Sequence, residues 1–189
     1  MRFIRLQHTD PESMALYPQF QARVLAMNAD YQSRGTPVTH ADELLKRWVN
    51  TPLQAFYCLA LDLNGRVFAH LCAYLAVDRE EPFALIYQCQ CDNDKDATHT
   101  VRPIITSMFW AMGEWIQTVN RELPKAKVQT VDFWTPWDPK IWQRYFGPLL
   151  HLTRVFSVMR FDIDNLRNFT GIGGDEPDLE STGNKEYLN

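Results

Sequence analysis

The stretch QCQCDNDKDATHTVRP, residues 88–103, concentrates residue types that could do chemistry. It reads as the end of a strand running through a polar loop into a long apolar helix. Such a junction can cradle a phosphate. Helix N-termini carry unpaired N–H groups and a partial positive charge, and glycine lets the backbone close on the anion. Here the loop carries Asp92, Asp94 and Asp96 with Lys95 to offset them, and no glycine lies between Gly65 and Gly113. A diphosphate at this place is expected to face all three carboxylates. Like charges a few ångströms apart in a partly dry site cost on the order of 1–4 kcal/mol each. The same aspartates suit the start of a helix, where their oxygens cap free N–H groups.

A second constellation is thiol and imidazole. His70 and Cys72 share one face of one strand, and Cys89 and Cys91 share one face of the next. If the intervening turn sets residue 72 near residue 89, all four groups come together, and Cys and His are zinc ligands. A flat strand pair seldom gives tetrahedral geometry, and C-x₂₋₄-C knuckles are absent. The expectation is therefore buried, reduced thiols and no metal. Cysteine catalysis would need a thiolate beside a base, and no motif marks such a pair. Asp62, Asp78, His70 and Asp132 are the candidates for a general base, each at or near a strand.

The elements that must position these groups follow from the hydropathy pattern. MRFIRLQ alternates and reads as a strand; Asp10–Pro11 is a cap followed by a first helical residue. The helix from Pro11 to Tyr31 is expected to kink or break at Pro18. A short second helix follows in THADELLKRWV, with Thr39 and Asp42 at capping-box spacing. AFYCLALDLNGRVFAHLCAYLAVD is two β-rich runs joined by Asn64–Gly65, a strong hairpin signal. Pairing about that turn sets Tyr57 opposite Cys72 and sends Cys58 to the other face. FALIYQCQC is the third strand of the meander. In the long helix, Val101, Ile105, Met108, Met112, Trp115 and Val119 recur at helical spacing. Phe109, Trp110 and Ile116 widen that stripe toward deep burial. KVQTVDFWTP is a strand, DPKIWQRYFG a short helix, and LLHLTRVFSVMRFDI one last strand.

The chain of 189 residues is expected to form one domain over residues 1–163. Residues 164–189, polar and acidic with four glycines, have the composition of a flexible arm. A net charge of −4 and the lack of a basic stripe disfavour a nucleic-acid partner. No apolar run approaches the roughly 20 residues of a membrane helix. A cytoplasmic location is expected.

The order β–α–α–β–β–β–α–β–α–β over residues 1–163 resembles the GNAT acetyltransferase superfamily. The resemblance implies an α/β (α+β) fold, with a mixed, mostly antiparallel sheet and helices on both faces. It also implies that backbone groups of Gln88, Cys89, Gln90 and Cys91 would hold the pantetheine of acetyl-CoA. The N–H groups of Ala97, Thr98, His99 and Thr100 would then take the pyrophosphate. The family's tyrosine acid stands four residues before a Gly-Phe pair. Here Gln143 occupies that place before Gly147, and Tyr145 is the nearest phenol. Two functions stay open. In one, the acetyl-CoA motif is degenerate and no cofactor is bound. The protein then joins an assembly, such as a bacteriophage virion, through protein partners or its own copies. Trp134, Trp137, Trp142 and Phe169 of the C-terminal arm would supply the contacts. In the other, a divergent loop still serves a CoA-dependent N-acyltransferase in which Tyr145 protonates the departing thiolate.

Overall fold

The first helix starts where the sequence places its cap. The Asp10 carboxylate accepts hydrogen bonds from the Ser13 amide at 2.8 Å and the Ser13 hydroxyl at 2.7 Å, and Pro11 follows as the first helical residue. One oxygen, Oδ2, accepts both bonds and so caps an N–H that the helix itself leaves unpaired. In this computed structural model the described residues are 1–33, 35, 41–76, 82–92, 101–123, 125, 127–134, 140, 142–144, 153–155 and 158–162. They form β1 (Arg2–Arg5), α1 (Pro11–Ser33), α2 (Ala41–Asn50), β2 (Ala55–Leu61), β3 (Val67–Ala76), β4 (Phe83–Cys91), α3 (Val101–Glu122), β5 (Thr130–Trp134), β6 (Thr153–Val155) and β7 (Val158–Asp162). The expected capping box at Thr39 lies outside the described residues.

The strands make one seven-stranded sheet in the order β1-β2-β3-β4-β5-β7-β6. All neighbours run antiparallel except β4 and β5, which are parallel and joined through α3. The hairpin between β2 and β3 closes as expected: Tyr57 faces Cys72 across the pair. At its tip Gly65 takes φ 77°, a conformation that glycine adopts without steric cost. Asp62 Oδ1 accepts from the Asn64 and Arg66 amides and fixes the turn.

Alternation splits the sheet into two buried faces. Phe56, Cys58, Leu71, Ala73 and Ile86 turn toward α3, where Met108, Phe109, Met112, Trp115, Ile116 and Val119 cover them. Tyr57, Leu59, Leu61, Cys72 and Tyr87 turn the other way, toward Tyr17, Phe20 and Val24 of α1 and Trp48 of α2. The helices therefore cover both faces, as the alternating strands require. Trp115 anchors the α3 side, stacked on Phe56 with its indole N–H donating to the Leu53 carbonyl at 2.8 Å.

Three expectations need correction. Of the kink or break expected at Pro18, the break does not occur: α1 continues from Pro11 to Ser33, with Pro18 on its exposed side, where the lost backbone bond opens to water. Trp110 is 43% exposed. It stands beside Phe109 on the helix wheel but beyond the edge of the sheet-facing stripe. The last strand is two strands, β6 and β7, paired antiparallel as a hairpin. Alternation within LLHLTRVFSVMRFDI fits a single strand and a tight hairpin equally well, and only the partner decides. The expected short helix agrees with helical geometry at Lys140 and residues 142–144. The arm expected from residue 164 lies outside the described residues.

Candidate functional site

The chemistry converges on the end of β4. On one side β4 pairs with β3 along its length, from Ala76↔Phe83 to Ala69↔Cys91. On the other side, pairing with β5 covers only Ala84, Ile86 and Leu85 between them. Tyr87–Cys91 have no strand partner there among the described residues. A bulge accompanies this change: Ala73 faces Ile86 and Cys72 faces Gln88, so Tyr87 is the extra residue. Bulges re-aim the residues beyond them.

Backbone direction in this segment can be worked out. The Asp92 amide donates to the Phe68 carbonyl of β3 at 2.8 Å. Amides alternate sides along a strand, so Gln90 also points at β3 while Cys89 and Cys91 point to the free side. Tyr31 of α1, 2% exposed, brings its hydroxyl up to the Cys89 amide. Burial pushes that phenol's pKa up, so it stays protonated. The Cys91 backbone is the more open of the two.

Side chains of the same segment are occupied. Gln88 is 1% exposed; its Oε1 meets His70 Nε2 at 3.1 Å and its Nε2 donates to Asn28 Oδ1 at 2.8 Å. The direction of the second bond makes Oε1 the acceptor, so His70 carries its proton on Nε2. His70 is fully buried, and its Nδ1 has no hydrogen-bond partner among the described residues. Desolvation first, then the nearby Arg23 charge, lowers its pKa to about 4, against weaker raising effects of Gln88 and Asp92. It is a neutral imidazole sealed from solvent, unsuited to take a proton from a substrate.

The four-membered thiol–imidazole group does not assemble. The bulge sets Leu71, and not Cys72, opposite Cys89. Cys89 and Cys91 pack toward α3 together with Cys58, while His70 and Cys72 lie on the α1 face. Burial pushes the Cys58 thiol up to about 12 and Cys91 up to about 11, and raises Cys72 and Cys89 as well. These thiols remain protonated near neutral pH. Of the candidate bases, Asp132 is fully buried on β5 and Asp62 is held in the hairpin turn. Asp78 lies outside the described residues.

Asp92 does not face the loop as expected. Its carboxylate turns back onto Arg23 of α1 in a two-point ion pair, with Nη2–Oδ1 at 2.8 Å and Nη1–Oδ2 at 3.0 Å. Arg66 adds a longer contact at 3.5 Å. A paired, fork-bound carboxylate has little field left for a distant anion. Helix α3 then begins at Val101 with no acidic residue in its first turn. Asp94, Asp96, Ala97, Thr98, His99 and Thr100 lie outside the described residues, as do Trp137, Tyr145 and Phe169. Trp134 ends β5. Trp142 is half-buried, its ring edge-on to Phe133 with centroids 4.9 Å apart, so it packs against the core.

Arg23 and Asn28 were not singled out by sequence reasoning, yet both carried a signal. Arg23 is the single Lys or Arg in α1. Asn28 stands on the buried stripe with Phe20, Val24 and Tyr31. A polar group at a core position needs a partner, and these two find theirs on β3 and β4.

No protein-family model and no curated protein matches this sequence. Solved structures do. An aminoglycoside 6′-acetyltransferase type Ii is similar over 86% of this chain and 97% of its own, with 12% identity and a TM-score of 0.51. A GNAT-family acetyltransferase from Staphylococcus aureus aligns over 86% and 99%, with 9% identity and a TM-score of 0.49. The chain has the GNAT acetyltransferase fold.

Proposed function

We propose that this GNAT-fold protein binds the pantetheine thioester of acetyl-CoA along the free side of β4 and transfers the acyl group to an amine. The observation that carries the reading is the parallel β4–β5 pair that ends at Ile86↔Phe133, leaving the Cys91 amide directed to a side without a strand partner among the described residues, while the Cys89 amide on that side meets Tyr31. An extended, amide-containing arm pairs with such an edge as an added strand would. Asp92, held by Arg23, does not oppose the phosphates. In the reaction the amine nitrogen attacks the thioester carbonyl and the C–S bond breaks. The thiolate takes one proton, for which Tyr145 is the proposed donor, and the amine loses one. The pyrophosphate falls to the amides of Ala97–Thr100 in this reading.

A thermal-shift titration with acetyl-CoA tests it. Ligand at about 100 times Kd stabilises the fold by roughly 2.7 kcal/mol, worth about 5–10 °C in Tm at this size. An unchanged Tm at millimolar acetyl-CoA would sink the proposal.

A second reading has its own observation. His70 and Asp132 are sealed and Asp62 is committed to a turn, so among the described residues no candidate base is free. That favours a protein that uses the fold without catalysis, as a component of an assembly. An unchanged Tm with acetyl-CoA and no thiol release across a panel of amines would support it, and stabilisation that grows with acetyl-CoA concentration would sink it.

A further inference from the structure

One guanidinium ties three elements together at the end of β4. Arg23 Nη1 donates to the Val67 carbonyl at 3.2 Å, and Nη2 donates to the Phe68 carbonyl at 3.1 Å. Both carbonyls lie at the second irregularity of the sheet: Ala60 faces Ala69 but Leu61 faces Val67, which makes Phe68 an extra residue. The same two nitrogens grip both oxygens of Asp92, whose own amide is bonded to Phe68. The Arg23 side chain is 17% exposed and that of Asp92 34%. A guanidinium of this kind offers a planar fork that a lysine cannot reproduce.

We infer that Arg23 is a positioning residue for acetyl-CoA, acting by sequestering the Asp92 carboxylate away from the phosphates. The inference rests on the proposed acetyl-CoA reading. Asp92 is the last described residue before the segment that leads to α3, where the resemblance places the pyrophosphate. Turned outward, its charge would be added on the side of that segment and would oppose an anion bound there. Turned inward and paired, it is neutralised, and the clamp fixes the point from which the loop departs. Arg66 reaches the same carboxylate at 3.5 Å, but it is 67% exposed and also pairs with Asp62, so it offers a weak substitute.

The sign of the effect follows. Releasing one unit charge about 6 Å from a phosphate, at an effective dielectric near 40, weakens binding about tenfold. The test is calorimetric titration of acetyl-CoA into wild type, Arg23→Met, Asp92→Asn and the double variant. Each protein is first checked for cooperative melting and an unchanged circular dichroism spectrum. Arg23→Met should bind about tenfold more weakly, with the deficit shrinking as salt is raised. Asp92→Asn removes the carboxylate and leaves the Arg23 charge unbalanced, so it should bind as tightly as wild type or more tightly. The double variant should regain most of the lost affinity, a rescue that a purely structural tie would not give. A double variant as weak as Arg23→Met, or an Arg23→Met that binds like wild type, would overturn the inference. Should Arg23→Met fail to fold, Arg23→Lys replaces it: charge kept, fork lost, a smaller deficit again rescued by Asp92→Asn. Wild type that does not bind acetyl-CoA refutes the proposed function, and this inference with it. Binding by wild type without rescue refutes the inference alone.

Discussion

Lowering the pH should destabilise this protein through His70 in particular. The imidazole is fully buried, its Nε2–H is given to Gln88, and Nδ1 has no partner among the described residues to accept a hydrogen bond from a second proton. Its pKa is about 4 in the fold against 6.5 for an ordinary histidine. Above pH 6.5 it is neutral folded and unfolded, so it contributes no pH dependence. As pH falls below 6.5 the unfolded chain binds the proton and the folded chain does not. Stability is therefore lost steadily until the folded imidazole itself titrates near 4. At 1.36 kcal/mol per unit, the full span is worth about 3 kcal/mol, most of it between pH 6 and 4.5. Urea unfolding at pH 7, 6, 5 and 4.5, on wild type and on His70→Gln, measures it. Carboxylates titrate in both proteins, so the difference between the two isolates His70. That difference should shift by about 2–3 kcal/mol in favour of His70→Gln between pH 7 and 4.5. A difference that does not change with pH would refute the reasoning, since it would mean that His70 titrates in the fold as it does in the unfolded chain.

Asn120 should matter as much as a core residue. Its Nδ2 donates to the Val128 carbonyl at 2.9 Å and its Oδ1 accepts from the Val128 amide at 2.7 Å, joining the end of α3 to the approach to β5. Asn120→Ala leaves a buried amide and carbonyl unpaired and should cost about 2–4 kcal/mol in a denaturation midpoint experiment; Asn120→Asp, which keeps the acceptor, should lose less. The thiols give a chemical check. At pH 7.5 a thiol reagent should leave Cys58 and Cys72 untouched until the protein unfolds, with Cys91 the first to react, read site by site by mass spectrometry. Burial raises all of these thiols, Cys91 least among those given a value. Prompt native-state labelling of Cys72 would contradict the packing of the α1 face.

What the sequence revealed depended on how local the cause was. The Asp10–Pro11 start, the hairpin at Asn64–Gly65 and its Tyr57↔Cys72 register each follow from a few neighbouring residues, and the structure has them. The stripe of α3 was legible because its period is strong, but its edge was not, and Trp110 fell outside it. The bulge at Tyr87 left no local mark. It shifts β4 against β3 by one residue, which moves Cys89 opposite Leu71 and dissolves the thiol–imidazole group. Asp92 was misread for the same reason. Its partner is Arg23, 69 positions earlier, and nothing near residue 92 announces a cation on α1. The split of the last strand into β6 and β7 depends on β7 pairing with β5, again a distant choice.

The account turns on the free side of β4, and backbone hydrogen exchange with and without acetyl-CoA tests it most directly. Bound pantetheine should slow exchange of the Cys91 amide, and of Cys89 where Tyr31 gives way, while Gln90 and Asp92, already bonded toward β3, change little. Protection confined to other parts of the chain, or no change in β4 at saturating acetyl-CoA, would contradict the account.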